Sequence, residues 1–291
     1  MPNKPRRIGL TANPDKIAAR PLIRRVARSI AKEGKTVLAD AGTAGLADLN
    51  IPTSADIASL ASRSDLLLVF GGDGTMLGAA RAVAGQSTPI LGVNIGGLGF
   101  LTAVPSANLH RELPKIWSGD FSIEERTLIE ATGTIAGQSV KQVALNDFVI
   151  SRGATSRLIE LEVKVNGEVL THYRCDGLIL TSPTGSTAYS LAAGGAIVSP
   201  SAPVLTITPI CPHTLSNRSV IVDLGSVIEV RVISQKLETF LTADGQVQLP
   251  MFSGDMVRIR KSAKTVRLVR LPESSFFKTL RQKLNWSGSS V

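Results

Sequence analysis

The chain is poor in the residues that staple a fold or stack on bases. It has two cysteines, Cys175 and Cys211, too few for a disulfide framework or a thiolate metal cluster. Its three histidines, His110, His172 and His213, lie far apart and form no ligand pair at helical spacing, so no metal-ligating set is read from the sequence. Aromatic residues make up 4% of the chain, which leaves few platforms for nucleic-acid bases. No apolar run approaches the ~18 residues of a membrane span. No apolar core follows the basic start "MPNKPRRIGLTANP", so the expectation is a cytoplasmic protein with neither nucleic acid nor membrane as partner. The chain also lacks GxxxxGK[ST] and lacks GxGxxG after a first strand. Those absences exclude the P-loop mode of phosphoryl transfer and the common dinucleotide fingerprint.

What remains is an ordinary globular composition, 43% hydrophobic and 19% charged, in 291 residues that suit two domains. The net charge is +9, and between Arg258 and Lys283 nine basic residues stand against the single acidic Glu273. In "VRIRK" and "VRLVRL" arginines alternate with apolar residues, as in a strand with one solvated face. The excess favours small polyanions over nucleic acid.

Two periodicities divide the chain. "RRIGLTA", "TVLAD", "DLLLVF" and "TPILGVNI" read as strands, separated by helical stretches such as "DKIAARPLIRRVARSIAKEGK", which Pro21 is expected to break, and "TMLGAARAVAGQ". Such alternation predicts βαβ units around a parallel sheet. Beyond about residue 120 the period shortens. In "LIELEVKVNGEVL", Ile159, Leu161, Val163 and Val165 alternate with charged residues, and Asn166-Gly167 is a hairpin turn. The fold class is therefore an α/β N-terminal domain with a parallel sheet, 1–122, followed by an antiparallel all-β domain, 123–270. An amphipathic helical tail, 271–291, is expected to pack back on the body.

Two glycine-rich turns follow strands of the first domain: "GGDGT", containing Gly71, Gly72, Asp73, Gly74 and Thr75, and "GGLGF". At the carboxyl ends of parallel strands, glycines admit phosphate to backbone amides and a helix N-terminus adds positive partial charge. A carboxylate there repels phosphate unless it has a task. Asp73 could hold Mg²⁺ against phosphate oxygens, accept a proton from an attacking hydroxyl, or cap the following helix. In the second domain "CDGLILTSPTGSTAYSLAAGG" gathers hydroxyls and glycines around Tyr189, which suits a ribose or pyrophosphate. Asp147 and Asp176 are candidates for paired ribose hydroxyls or for turn caps.

The order "GGDGT", "NIGGLGFL", "LNDFVISRG", "DGLILTSPTGSTAYSLAAGG", "TPICPHTLSNR", "DGQ" resembles the NAD kinase family over about residues 66–250. "GGDGT" alone is shared with lipid kinases; "PTGSTAYSLAAGG" and "PICPHTL" are far more specific. The resemblance implies transfer of a terminal phosphate from ATP or inorganic polyphosphate, with Mg²⁺ or another divalent cation, to the 2′-hydroxyl of the adenosine ribose of NAD. By position it implies Asp73 as proton acceptor, with Gly74 in the same pocket and Gly71, Gly72 and Thr75 in the phosphate-donor loop. Asn146 and Asp147 match the ribose clamp. Thr187, Ala188, Tyr189, Ser190, Leu191 and Ala192 match the segment around the adenine end. Arg157, Arg174, Asp176 and Gln246 fall on further dinucleotide-contacting positions. A homodimer or homotetramer is also implied. The departures are Asp147 where Glu is more usual, Ala192 and Ala196 where Ser and Pro are frequent, and Ser219 where Pro is common.

Overall fold

The computed structural model describes residues 4–97, 99–154, 156–214, 218–235, 237–272 and 274–286. Leu98 of "GGLGF" and Leu215, Ser216 and Asn217 of "PHTLSNR" lie outside the described residues. The chain forms two compact units. One runs to Glu125 and resumes at Val266; the other is Arg126–Thr265. The second division falls inside one uninterrupted strand, Met256–Arg270, where nothing in the local composition marks a boundary.

The first unit is built on a parallel sheet. Arg7–Ala12 lies between Thr36–Asp40 and Leu66–Gly71, and Leu66–Gly71 pairs onward with Ile90–Asn94. Leu66, Leu67, Leu68, Val69 and Phe70 are all fully buried, because helices cover both faces of a central parallel strand. The helix Arg20–Lys32 directs Leu22, Ile23, Val26, Ala27 and Ile30 into that core at helical spacing. Pro21 does not break this helix but sits in its first turn, where its missing N–H would have had no intrahelical partner. Two helices were not read from the pattern. Ala41–Ala47 is short and capped by Asp40, which accepts from the Thr43 amide at 2.8 Å, and Leu109–Ser118 contains Pro114. The tail forms the helix Phe276–Lys283 and packs back on this unit. Leu280 is buried, and the Phe276 ring lies 6.3 Å from that of Phe100.

The second unit consists of antiparallel sheets over a shared apolar core. One runs, edge to edge, through Val220–Asp223, Val204–Ile210, Gly177–Thr181, Asp147–Arg152, Thr239–Ala243 and Val247–Met251. Its inward residues Phe148, Ile150, Leu178, Leu180, Leu205 and Leu241 share a core with Ile159, Leu161, Val163, Val230, Val232 and Val257 of the other strands. The hairpin turn at Asn166 and Gly167 has φ of 53° and 85°, the left-handed pair that a two-residue turn requires.

The four arginines of the Met256–Arg270 strand are each paired with a glutamate. Arg258 pairs with Glu229 at 2.6 Å and Arg260 with Glu130 at 2.8 Å. Arg267 pairs with Glu125 at 3.1 Å, and Arg270 with Glu124. A charge run in one dimension is thus a ladder of ion pairs in two.

Candidate functional site

In the first unit the strand Leu66–Gly71 ends in the glycine turn, and Gly72 caps the helix Asp73–Ala82 through backbone geometry alone. Asp73 is therefore the first helical residue and not the cap. Its carboxylate reaches the second glycine-rich turn, accepting from the amides of Phe100 at 2.8 Å and Leu101 at 3.1 Å. Two fixed donors orient both oxygens and leave further lone pairs for a hydroxyl proton. The group is half-buried. A Cβ on Gly99 would collide with the Asp73 carboxylate, and one on Gly71 with the Thr75 side chain. Both glycines are needed for close approach. Gly72, by contrast, faces open space within 4 Å of its missing Cβ, and Gly74 is exposed.

Asn94 organises the facing turn and was not among the predicted site residues. Its side-chain amide donates to the Gly97 carbonyl at 2.6 Å and to Thr102 Oγ1 at 2.8 Å, while its Oδ1 accepts from the Gly96 amide at 2.7 Å. Only 3% exposed, it replaces the ladder partners the chain loses as it leaves the sheet. An Asn as last strand residue before paired glycines was the available signal.

In the second unit Asn146 and Asp147 stand at the start of a central strand, and both are buried. The Asn146 carbonyl accepts from the Ser182 amide at 2.9 Å and Thr181 Oγ1 at 2.8 Å, whereas its side-chain Oδ1 is buried with no hydrogen-bond partner. An acceptor left open in a locked backbone suits a ligand hydroxyl or amine. Asp244 underlies this segment, accepting from the amides of Leu145 at 3.1 Å, Asn146 at 2.7 Å and Asp147 at 3.3 Å. Asp244 itself has φ of 50°, a conformation Asp tolerates better than most residues. Burial, and then the Asp244 charge, push the Asp147 carboxyl up to about 7. Asp244 was not predicted; the "DGQ" motif yielded only Gln246.

The hydroxyl-rich loop works differently from its sequence appearance. Ser182 Oγ donates to the Leu145 carbonyl, and Ser186 Oγ donates to the Pro183 carbonyl at 2.8 Å and accepts from the Val198 amide at 3.0 Å. Buried Ser190 shares a chain of hydroxyls with Thr208 at 3.0 Å, which continues to Ser219 at 2.8 Å. These hydroxyls hold the loop together. Ser219, a departure from the common Pro, is a member of that chain. The residues left toward solvent are Thr187, Ala188, Tyr189, Leu191 and Ala192, with Tyr189 49% exposed. Gly185 is obligatory, since a Cβ would meet the Asn146 carbonyl and the Thr181 hydroxyl.

Asp176 pairs with Arg152 at 2.6 Å. Arg174 is exposed, with Glu160 at 3.9 Å, and Arg157 and Gln246 are exposed as well. The protein thus brings Asn146, Asp147 and the Ser182–Ser190 loop together around shared backbone bonds. Among the described residues no group of three or more His, Cys, Asp or Glu is placed to hold a metal ion. Among them also, no helix is long and apolar enough to cross a membrane.

Comparison with known proteins gives this arrangement its family. The model of the ATP-NAD kinase N-terminal domain matches residues 8–121, and that of the ATP-NAD kinase C-terminal domain matches residues 145–271. An NAD kinase of Symbiobacterium thermophilum is 42% identical over 280 residues, covering 95% of this chain and 98% of that protein. The structure of yeast NADH kinase complexed with NADH superposes with a TM-score of 0.89 at 28% identity, over 99% of this chain and 90% of the other. In fold alone, an NAD kinase from Archaeoglobus fulgidus in complex with ATP matches with a TM-score of 0.76 at 24% identity, over 97% and 100% of the two chains. Matched by both domain models and by relatives along nearly its whole length, the chain belongs to the NAD kinase family.

Proposed function

We propose that the chain transfers the terminal phosphate of ATP, or of inorganic polyphosphate, to the 2′-hydroxyl of the adenosine ribose of NAD, giving NADP. Family membership supports the kinase activity, and the family's description as ATP-NAD kinase supports ATP as donor. The observation that carries the mechanism is the Asp73 carboxylate, pinned by the Phe100 and Leu101 amides beside glycine turns. Asp73 accepts the 2′-hydroxyl proton as the oxygen attacks the phosphorus, and the bond to the leaving phosphate oxygen breaks in line. Gly71, Gly72, Gly74 and Thr75 form the donor loop. Holding the reactants in fixed orientation, rather than covalent chemistry, supplies most of the acceleration.

In the dinucleotide half, the open Asn146 Oδ1 and the Asp147 carboxyl take the adenosine ribose. Thr187, Ala188, Tyr189, Ser190, Leu191 and Ala192 line the adenine end, Ser190 from behind through Thr208. Arg157, Arg174, Asp176 and Gln246 complete the dinucleotide contacts. A divalent cation such as Mg²⁺ fits this donor set only as a passenger of the donor, because one carboxylate is available to it and phosphate oxygens must supply the rest. When bound it neutralises developing phosphate charge. We further propose a cytoplasmic homodimer or homotetramer.

The test is a coupled assay for NADP formation from NAD and Mg²⁺, with ATP and with polyphosphate, on wild type and Asp73→Asn. Wild-type turnover with a loss of at least ~100-fold in the variant, within the range for a removed general base, supports both reaction and base. NAD binding without NADP from either donor sinks the reading.

A further inference from the structure

The first unit has a second polar cavity, at the opposite end of its sheet from Asp73. It occupies about 980 Å³ beside the amino ends of Arg7–Ala12, Leu66–Gly71 and Ile90–Asn94, and it is lined by Lys4, Arg6, Arg7 and Arg267 among others. A six-residue strand puts roughly 20 Å between the two ends, so this space is no part of the phosphate-transfer turn. Its volume is at the upper end of the range for small-molecule sites.

The cations in it are not equivalent. Arg7 is engaged by Asp65, which accepts from its Nε at 3.1 Å and Nη2 at 2.7 Å, and from the Arg6 and Arg7 amides at 2.9 and 2.8 Å. Asp65 is thereby saturated. Arg267 pairs with Glu125. Lys4 and Arg6 are exposed and have no carboxylate partner among the described residues. Two positive charges therefore face the cavity uncompensated.

The same lining carries acceptors. Gln86 donates its Nε2 to the Ala58 carbonyl at 3.1 Å, while its Oε1 is buried with no hydrogen-bond partner. A buried amide oxygen left open in this way is unfavourable until something donates to it. The Ser62 and Ser64 hydroxyls give their protons to the Ser59 and Leu60 carbonyls, so toward the cavity they accept. Pro89, Phe121 and Ile123 add an apolar strip.

Cations, acceptors and apolar side chains in one lining fit a ligand with phosphates, hydrogen-bond donors and a ring. We infer that this cavity is a second nucleotide site, separate from the phosphate-transfer turn, with diphosphate against Lys4 and Arg6 and a donor-bearing base or sugar against Gln86. It takes no part in the reaction.

Calorimetric titration of GDP and of inorganic pyrophosphate into the full chain with saturating NAD tests it. The proteins are wild type, Lys4→Glu/Arg6→Glu and Gln86→Leu, with kinase kinetics measured on each. Charge reversal is expected to weaken GDP at least about tenfold. Gln86→Leu is expected to weaken GDP while leaving pyrophosphate within about twofold, and the KM values for NAD and ATP stay within about twofold in both variants. Equal GDP affinity in wild type and the charge-reversed chain overturns the inference. So does complete displacement of GDP by ATP, which would place it in the donor loop, and so does the absence of GDP binding at millimolar concentration.

Discussion

Asp73 in the first unit and Asp147 in the second both matter to the proposed reaction, and their surroundings are opposites. Asp73 is half-buried and met by two backbone amides, which hold its oxygens in a fixed direction. Asp147 is 5% exposed, faces the like charge of Asp244, and its carboxyl is pushed up to about 7. The same functional group is thus fixed in direction by backbone amides in one place and made reluctant to lose its proton in the other. Near neutral pH the Asp147 carboxyl changes from donor to acceptor, and in the proposed reaction that change would face a ribose hydroxyl.

The contrast can be broken most severely at Gly99. Gly99→Ala drives a methyl into the Asp73 carboxylate and should lower kcat at least about tenfold. Because it acts through Asp73, adding it to Asp73→Asn should lower kcat little further. Full additivity of the two losses in steady-state kinetics would show that Gly99 acts elsewhere. Next comes Asp244→Asn. It leaves the Leu145, Asn146 and Asp147 amides poorly matched, and denaturant titration should find a loss of about 1–3 kcal/mol. The same variant removes a charge opposing Asp147, so its carboxyl should titrate lower.

Asp147→Asn sharpens the comparison through pH. A carboxyl raised from 3.8 to about 7 keeps its proton in the fold while the unfolded chain ionises. Wild-type stability should therefore fall as pH rises between about 4 and 7 and level off above, by on the order of 4 kcal/mol. The variant should gain several degrees in Tm at pH 8 and almost nothing at pH 4. A wild-type Tm that instead rises across this window would refute the assignment. Smallest is Ser219→Pro, which removes the last hydroxyl of the Ser190–Thr208 chain. About 0.5–1 kcal/mol of stability and a modest rise in KM for NAD are expected, read by thermal melts and kinetics.

Much of this was legible in the sequence because it is local. The apolar run 66–70 reads as a central parallel strand and "VNGE" as a hairpin, since periodicity and turn chemistry involve near neighbours. The contacts that define Asp73 were not, because Phe100 and Leu101 come twenty-seven and twenty-eight residues later. Asp244 is further still from the amides it receives, ninety-seven residues from Asp147. Hydroxyl density at 181–190 reads two ways in the sequence, because serines and threonines that crowd a loop can satisfy its backbone as readily as a ligand. The arginines of the last strand looked like surplus charge because their glutamates lie on other strands.

The division of the Met256–Arg270 strand bears on how the chain is made. Arg126–Thr265 is continuous, and all its core residues have been synthesised before the chain returns to the first unit. The first core includes Val269 and Leu271, which are made only after residue 265. On a ribosome, where units close as their residues emerge, the later unit should fold first and the earlier one wait, its apolar faces open to chaperones. Protease treatment of stalled chains in which residue 265 is followed by a flexible extension long enough to fill the exit tunnel should cut within the first 125 residues and spare 126–265.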